Sequence, residues 1–129
     1  MLTRDGLKRG KMQKNFLSFE QGDIVIATLL FAEQIGAKRR PALVISNTEF
    51  NKKSDDLILL KITSQAKKTQ YDVQITQKDL EKGELRTESQ IMVDNPVTTY
   101  KQLIECKIGK ASGQKLKEVK QKIKELYEL

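Results

Sequence analysis

Residues 22–47 read GDIVIATLLFAEQIGAKRRPALVISN, two alternating apolar runs around a polar loop that ends in three cations and a proline. Alternation is the mark of a half-buried strand, so Ile24–Phe31 and Ala42–Ser46 are expected to pair across the loop. Working outward, Leu57–Ile62, Tyr71–Ile75, Gln90–Asp94 and Leu103–Lys110 are short, rich in Ile, Val and Leu, and bounded by Gly, Pro, Asn, Asp or Lys. Short strands in such close succession argue for a mainly β fold, a strongly bent sheet or small barrel. No long helical pattern separates them, which argues against a parallel βαβ architecture. Lys78–Gly83 has the composition of a turn or single helical turn, closed by a glycine suited to positive φ.

The period changes at the end of the chain. Leu116, Val119, Ile123 and Leu126 fall on one helical face, with lysines on the others. Ser112 is placed to cap this C-terminal helix, its hydroxyl accepting from a first-turn amide.

A length of 129 residues suits one domain. Twenty-four Lys and Arg against 17 Asp and Glu give a net charge of +7, which makes polyanions the natural partners. Cys106 is the single cysteine and there is no histidine. These absences exclude an intrachain disulfide, a Cys-based metal cluster, a His-bound zinc site, a Ser-His-Asp triad and a two-histidine ribonuclease mechanism. No metal or cofactor is expected. The longest apolar run, Ile24–Ala32, is broken by Thr28 and stopped by Glu33, short of the roughly 20 residues that span a bilayer. The N-terminus has cations but no apolar segment after them, so a secretory signal is not expected and the cytoplasm is the expected location. Residues 1–21 carry Arg4, Lys8, Arg9, Lys11 and Lys14 and read as a basic arm or lead-in to a domain over residues 22–129.

Gly22-Asp23, Glu33-Gln34 and Arg40-Pro41 are followed by Ile62-Thr63-Ser64-Gln65, by Arg86-Thr87-Glu88-Ser89, by the segment around Asp94 and by Leu103–Ser112. In this order and spacing they resemble the MazF/PemK family of toxin endoribonucleases. The resemblance implies a small SH3-like β-barrel with a C-terminal α-helix. It also implies the toxin of a type II toxin-antitoxin system, a metal-independent, sequence-selective endoribonuclease that cuts single-stranded mRNA to leave a 2′,3′-cyclic phosphate and a 5′-hydroxyl. A homodimer and a cognate antitoxin, whose disordered tail occupies the RNA groove, are the implied partners.

Arg40 and Thr63 are the implied centre of catalysis, with Ser64 and Asp94 beside them. Arginine's pKa exceeds about 12, so Arg40 is a stabiliser of phosphorane charge before it is an acid. Its fork of donors matches two phosphate oxygens. A threonine hydroxyl donates to a third with little entropy to lose. Glu33, Gln34, Lys38, Arg39 and Arg86 are the implied RNA-binding residues. In the PemK branch the aspartate matching Asp94 is viewed as a general base, with an arginine two positions earlier as acid. Here that position is Met92, and Val97-Thr98 stands where the family usually has Arg-Thr. An apolar residue at position 92 is common in the MazF branch and places the chain nearer to it, while Val97 is a further loss of positive charge near the expected site, and the general base stays open.

Other readings stay open on residues alone. Lys38-Arg39-Arg40 is equally a basic surface loop, and Thr63-Ser64 equally a turn. A non-catalytic RNA- or protein-binding module on the same barrel is the main alternative, and a structural partner subunit that holds nucleic acid by its basic arm is another. The apolar strands outnumber what a small barrel needs to hide, which favours dimerisation.

Overall fold

The alternation read in the opening stretch becomes β1 (Asp23–Leu30), whose side chains divide between two faces. Ile24 enters one hydrophobic cluster, while Val25, Ala27 and Leu29 enter a second. The structure is a computed structural model and describes residues 18–30 and 36–129. The expected basic arm therefore lies outside the described residues except for positions 18–21, as do Glu33 and Gln34.

After β1 come β2 (Ala37–Val44), α1 (Thr48–Lys53), β3 (Asp56–Thr63), β4 (Val73–Ile75), a 3-10 turn (Gln77–Asp79) and β5 (Leu80–Gly83). The long β6 (Ser89–Tyr100), a second 3-10 turn (Lys101–Leu103), β7 (Ile104–Ala111) and α2 (Gly113–Tyr127) complete the chain. The strands form one seven-stranded sheet in the order β4-β6-β3-β2-β1-β7-β5, antiparallel throughout. The sheet curls into a half-barrel of the SH3-like kind, with α2 packed against β6 and β4. No helix among the described residues is long and apolar enough to cross a membrane.

Several boundaries differ from the sequence expectation. β2 starts at Ala37, so Lys38, Arg39 and Arg40 belong to a strand, paired with Leu29, Thr28 and Ala27, and do not form a loop. Three consecutive cations hide a strand from any hydrophobicity pattern. Lys78–Gly83 is not a turn alone: its second half is β5, an edge strand kept polar by Glu81 and Lys82. β6 extends to Tyr100, beyond the expected end at Asp94, because the ladder absorbs a bulge. Leu60 pairs with Pro96 while Ile62 pairs with Ile91, so Met92–Asn95 are accommodated opposite Lys61 alone. The short α1 carried no periodic signal. Its cap did, since Asn47 accepts from Phe50 N at 2.7 Å.

The two clusters explain the surplus of apolar strands. The first gathers Ile24, Leu43, Leu60, Ile62, Ile75, Ile91, Val93 and, from α2, Val119. The second gathers Val25, Leu29, Val44, Leu57, Leu59 and Ile104 beneath Phe19. Apolar residues on both faces are thus covered within one chain, and their number alone does not call for a second copy. Of the four apolar positions read on α2, Val119 is fully buried, while Leu116, Ile123 and Leu126 are partly buried against the first cluster. Ser112 caps the helix as its sequence suggests, accepting from Lys115 N at 3.1 Å.

Phe19 is held over the second cluster by buried polar chemistry. Asn51, 1% exposed, donates through Nδ2 to Phe19 O at 3.1 Å and Ser46 O at 3.0 Å, and its Oδ1 accepts from Ser46 Oγ at 2.5 Å. On the other side Lys107 Nζ lies 5.4 Å from the Phe19 ring centroid and 3.4 Å from Asp23 Oδ2. Asn51→Ala strands two buried carbonyls and a hydroxyl at once. It is expected to lower stability by about 2–3 kcal/mol, read from the urea midpoint. A midpoint within error of the wild type would show that Phe19 is held by other contacts.

Candidate active-site cleft

The ladder between β2 and β3 covers only Ala42–Val44 and Leu59–Lys61. The next residue outward on β2 is Pro41, which has no N–H to offer β3. Beyond that point a cleft of about 470 Å³ opens, with Arg40 and Pro41 on one wall and Ile62, Thr63, Ser64 and Gln65 on the other. Met92 and Ser89 of β6, Lys68 and the loop residues Leu85, Arg86 and Thr87 complete the lining.

Local bonding fixes these groups. Thr63 Oγ1 accepts from Gln65 N at 3.2 Å, which leaves its own O–H to donate elsewhere. Arg40 Nη1 donates to the Arg39 carbonyl at 2.9 Å, laying the side chain along its own strand. Lys68 is presented by a turn in which Asp72 Oδ2 accepts from Lys68 N at 2.9 Å and from Thr69 N at 3.3 Å.

The overhanging loop is clamped from below. Gln77 accepts from Leu85 N at 2.8 Å and donates to Gly83 O at 3.1 Å, and Glu84 N donates to Ile108 O at 3.0 Å. Gly83, at φ +92°, lies so close to Gly109 that a Cβ would meet the Gly109 Cα at 2.2 Å. Leu85, 9% exposed, is thereby driven into the first hydrophobic cluster, and Arg86 stands above it.

The structure brings Arg40, Thr63, Ser64 and Arg86 together around one cleft. Arg39 points to the other side of Leu85, into a second cavity. There its Nε donates to Glu105 Oε1 at 2.7 Å and its Nη2 bonds Oε2, and the carboxylate holds the guanidinium above its usual pKa. Lys38 is exposed on β2 and Asp94 is exposed on the β6 bulge, and neither lines the cleft. Lys68, Gln65, Thr87 and Met92 were not read as site residues. Lys68 had a signal, a cation shortly after the Thr-Ser motif. Met92, noted in the sequence only as a lost arginine, forms part of the apolar lining with Pro41, Ile62 and Leu85.

Among the described residues, three cations, three hydroxyls besides Thr63, one amide and an apolar floor surround the cleft, and none of those lining it is a carboxylate. Such a surface attracts a phosphodiester and leaves a nucleobase an apolar resting place.

Residues 20–127 match the family described as PemK-like, MazF-like toxin of type II toxin-antitoxin system. The chain belongs to this family. Solved structures of MazF-like toxins share its fold at low identity. One is the MazE–MazF complex of Deinococcus radiodurans, with a TM-score of 0.69 and 23% identity over 88% of this chain and 99% of that one. A second is the Mycobacterium tuberculosis toxin MazF-mt6, with a TM-score of 0.69 and 20% identity over 83% of this chain and 97% of that one. A third is an endoribonuclease from a mycobacterial species, with a TM-score of 0.69 and 16% identity over 88% and 94% of the two chains. A search among curated protein sequences gives no match. At these identities the structural likeness speaks for the MazF-like fold, and the family assignment rests on the match over residues 20–127.

Proposed function

We propose that this MazF/PemK-family toxin is an endoribonuclease that cleaves single-stranded mRNA, with the scissile phosphate between Arg40 and Thr63. The observation that carries this reading is the cleft itself, where Arg40, Lys68 and Arg86 converge with the Thr63 hydroxyl at the point where β2 and β3 stop pairing. Attack of the ribose 2′-oxygen on phosphorus breaks the bond to the 5′-oxygen, yielding a 2′,3′-cyclic phosphate and a 5′-hydroxyl. The charge that builds on the phosphorane oxygens faces preorganised cations and one hydroxyl donor, the arrangement that stabilises such transition states most. The described residues lining the cleft include no carboxylate, and the part they play is electrostatic. Asp94, exposed on the bulge, is left out of its chemistry.

The sequence holds no histidine, and among the described residues no group of three or more Cys, Asp or Glu could hold a metal ion. Cleavage of a single-stranded RNA is therefore expected to survive excess EDTA and to leave cyclic phosphate ends. Dependence on added magnesium, or 3′-hydroxyl products, would overturn the mechanism. Intact RNA that is nevertheless bound tightly would favour the non-catalytic binding module.

We further propose a cytoplasmic homodimer neutralised by a cognate antitoxin. A mycobacterial endoribonuclease of this fold has been solved with its cognate antitoxin, which supports a partner of that kind here. Light scattering over a concentration series should give twice the chain mass, and an active monomer would refute the dimer.

A further inference from the structure

Leu85 and Arg86 line two cavities, and only one of them holds Arg40 and Thr63. The second, about 560 Å³, lies on the β1–β7 side and is lined by Ile26, Arg39, Glu84 and Ile108 in addition to the shared pair. Its volume falls in the range of small-ligand sites. Ladder geometry explains the division. Ile26 pairs with Pro41, so the two side chains share the concave face of the sheet, and Leu85 descends to divide that face into two compartments.

The chemistry of the second compartment differs from that of the first. It has an apolar floor, Ile26 and Ile108, and it includes a carboxylate. A carboxylate repels phosphate, so what sits beside Glu84 is a group that donates hydrogen bonds. Glu84 accepts from Arg86 Nε at 3.2 Å, but both side chains are largely exposed, 70% and 89%, and exposed pairs of this kind exchange partners at little loss. Arg39 is gripped by Glu105 through Nε and Nη2, which leaves Nη1 outside that fork.

We propose that this compartment binds the base next to the cleaved bond and that the base is guanine. Guanine alone presents two adjacent donors, N1–H and the N2 amine, on one edge and two adjacent acceptors, O6 and N7, on another. The donor edge matches the two oxygens of Glu84, and the acceptor edge matches Nη1 of Arg39, the nitrogen outside the Glu105 fork. Cytosine and adenine each place an acceptor beside their amine, against the carboxylate, and uracil offers a single N–H. Arg86, standing between the compartments, bridges the phosphate that joins the two nucleotides.

The inference rests on the endoribonuclease reading, and the test separates the two. The 5′ ends of products from a random RNA pool are sequenced for the wild type. Single-turnover cleavage is then measured on a preferred oligonucleotide and on copies in which that guanine is replaced by inosine, which lacks the N2 amine, or by 7-deazaguanine, which lacks N7. The wild type is expected to select guanine beside the cut and to lose roughly tenfold or more on inosine. Glu84→Gln, at an exposed position, is expected to shrink the inosine penalty several-fold, and Ile108→Trp, which fills the compartment, to erase the guanine preference. Thermal melts confirm the fold of each variant. A wild type that cuts without a guanine preference beside the cut overturns the compartment alone, as does an inosine penalty unchanged in folded Glu84→Gln. A wild type that leaves all RNA intact overturns the endoribonuclease reading and the compartment with it.

Discussion

Arg40→Ala is expected to reduce single-turnover RNA cleavage by roughly 10² to 10³, the usual loss when one preorganised donor to a developing oxyanion is removed. Arg40 is half-buried in β2, paired with Ala27, and set at the mouth of the gap between β2 and β3. Its position is therefore fixed by the strand before substrate arrives, so little reorganisation is needed as charge develops. Binding of an uncleavable 2′-deoxy-substituted strand should weaken much less, since Lys68 and Arg86 line the same cleft. Arg40→Lys keeps the charge but loses the fork, and should fall between the two. A folded Arg40→Ala protein that cuts at the wild-type rate would move the active site elsewhere.

Gly83→Ala is expected to destabilise the protein by about 3–5 kcal/mol, far more than most single substitutions outside the core. Two effects act together. The residue sits at φ +92°, where an L side chain is strained, and its added methyl group would lie 2.2 Å from Gly109 Cα and 2.3 Å from the Ile108 carbonyl oxygen. Both obstacles are backbone, so no rotamer change relieves them. Relief comes only by separating β5 from β7, which frees the loop that carries Leu85 and Arg86. Chemical denaturation should show the loss of stability. Any fraction that stays folded should also cut poorly, because its cleft has lost one wall. A variant with wild-type stability would mean that the edge strand shifts freely and that the clamp is not needed.

The mainly β fold was legible because Ile24–Leu30 and Leu57–Ile62 alternate or run apolar between clear breakers. The half-barrel could be expected from the number of such strands. What escaped was written in polar residues. The cations Lys38–Arg40 make a strand only because β1 supplies a ladder on one side, and β5 is charged because edges must be. The extension of β6 through Asn95 and Pro96 depends on a bulge opposite Lys61, a tertiary accommodation without a local pattern. In the site, motif order pointed to Arg40 and Thr63, and both line the same cleft. The role of Met92 was illegible because a missing arginine reads as a loss until the apolar wall it joins is seen. Lys68 depended on a turn built by Asp72, four residues away.

The clamp beneath the Leu85 loop also bears on the order in which this protein comes into being. Arg40 and Thr63 are made before Gly109 and Ile108, which seat the loop, and before Val119, which closes the core under it. Pairings such as Asp56 with Tyr100 join segments far apart along the chain and cannot form until the later one exists. A nascent chain halted before β7 has the reactive side chains and no frame to aim them. For a toxin that would act on messenger RNA, a cleft whose frame lies downstream of its reactive residues leaves the message being read untouched until that frame has been made.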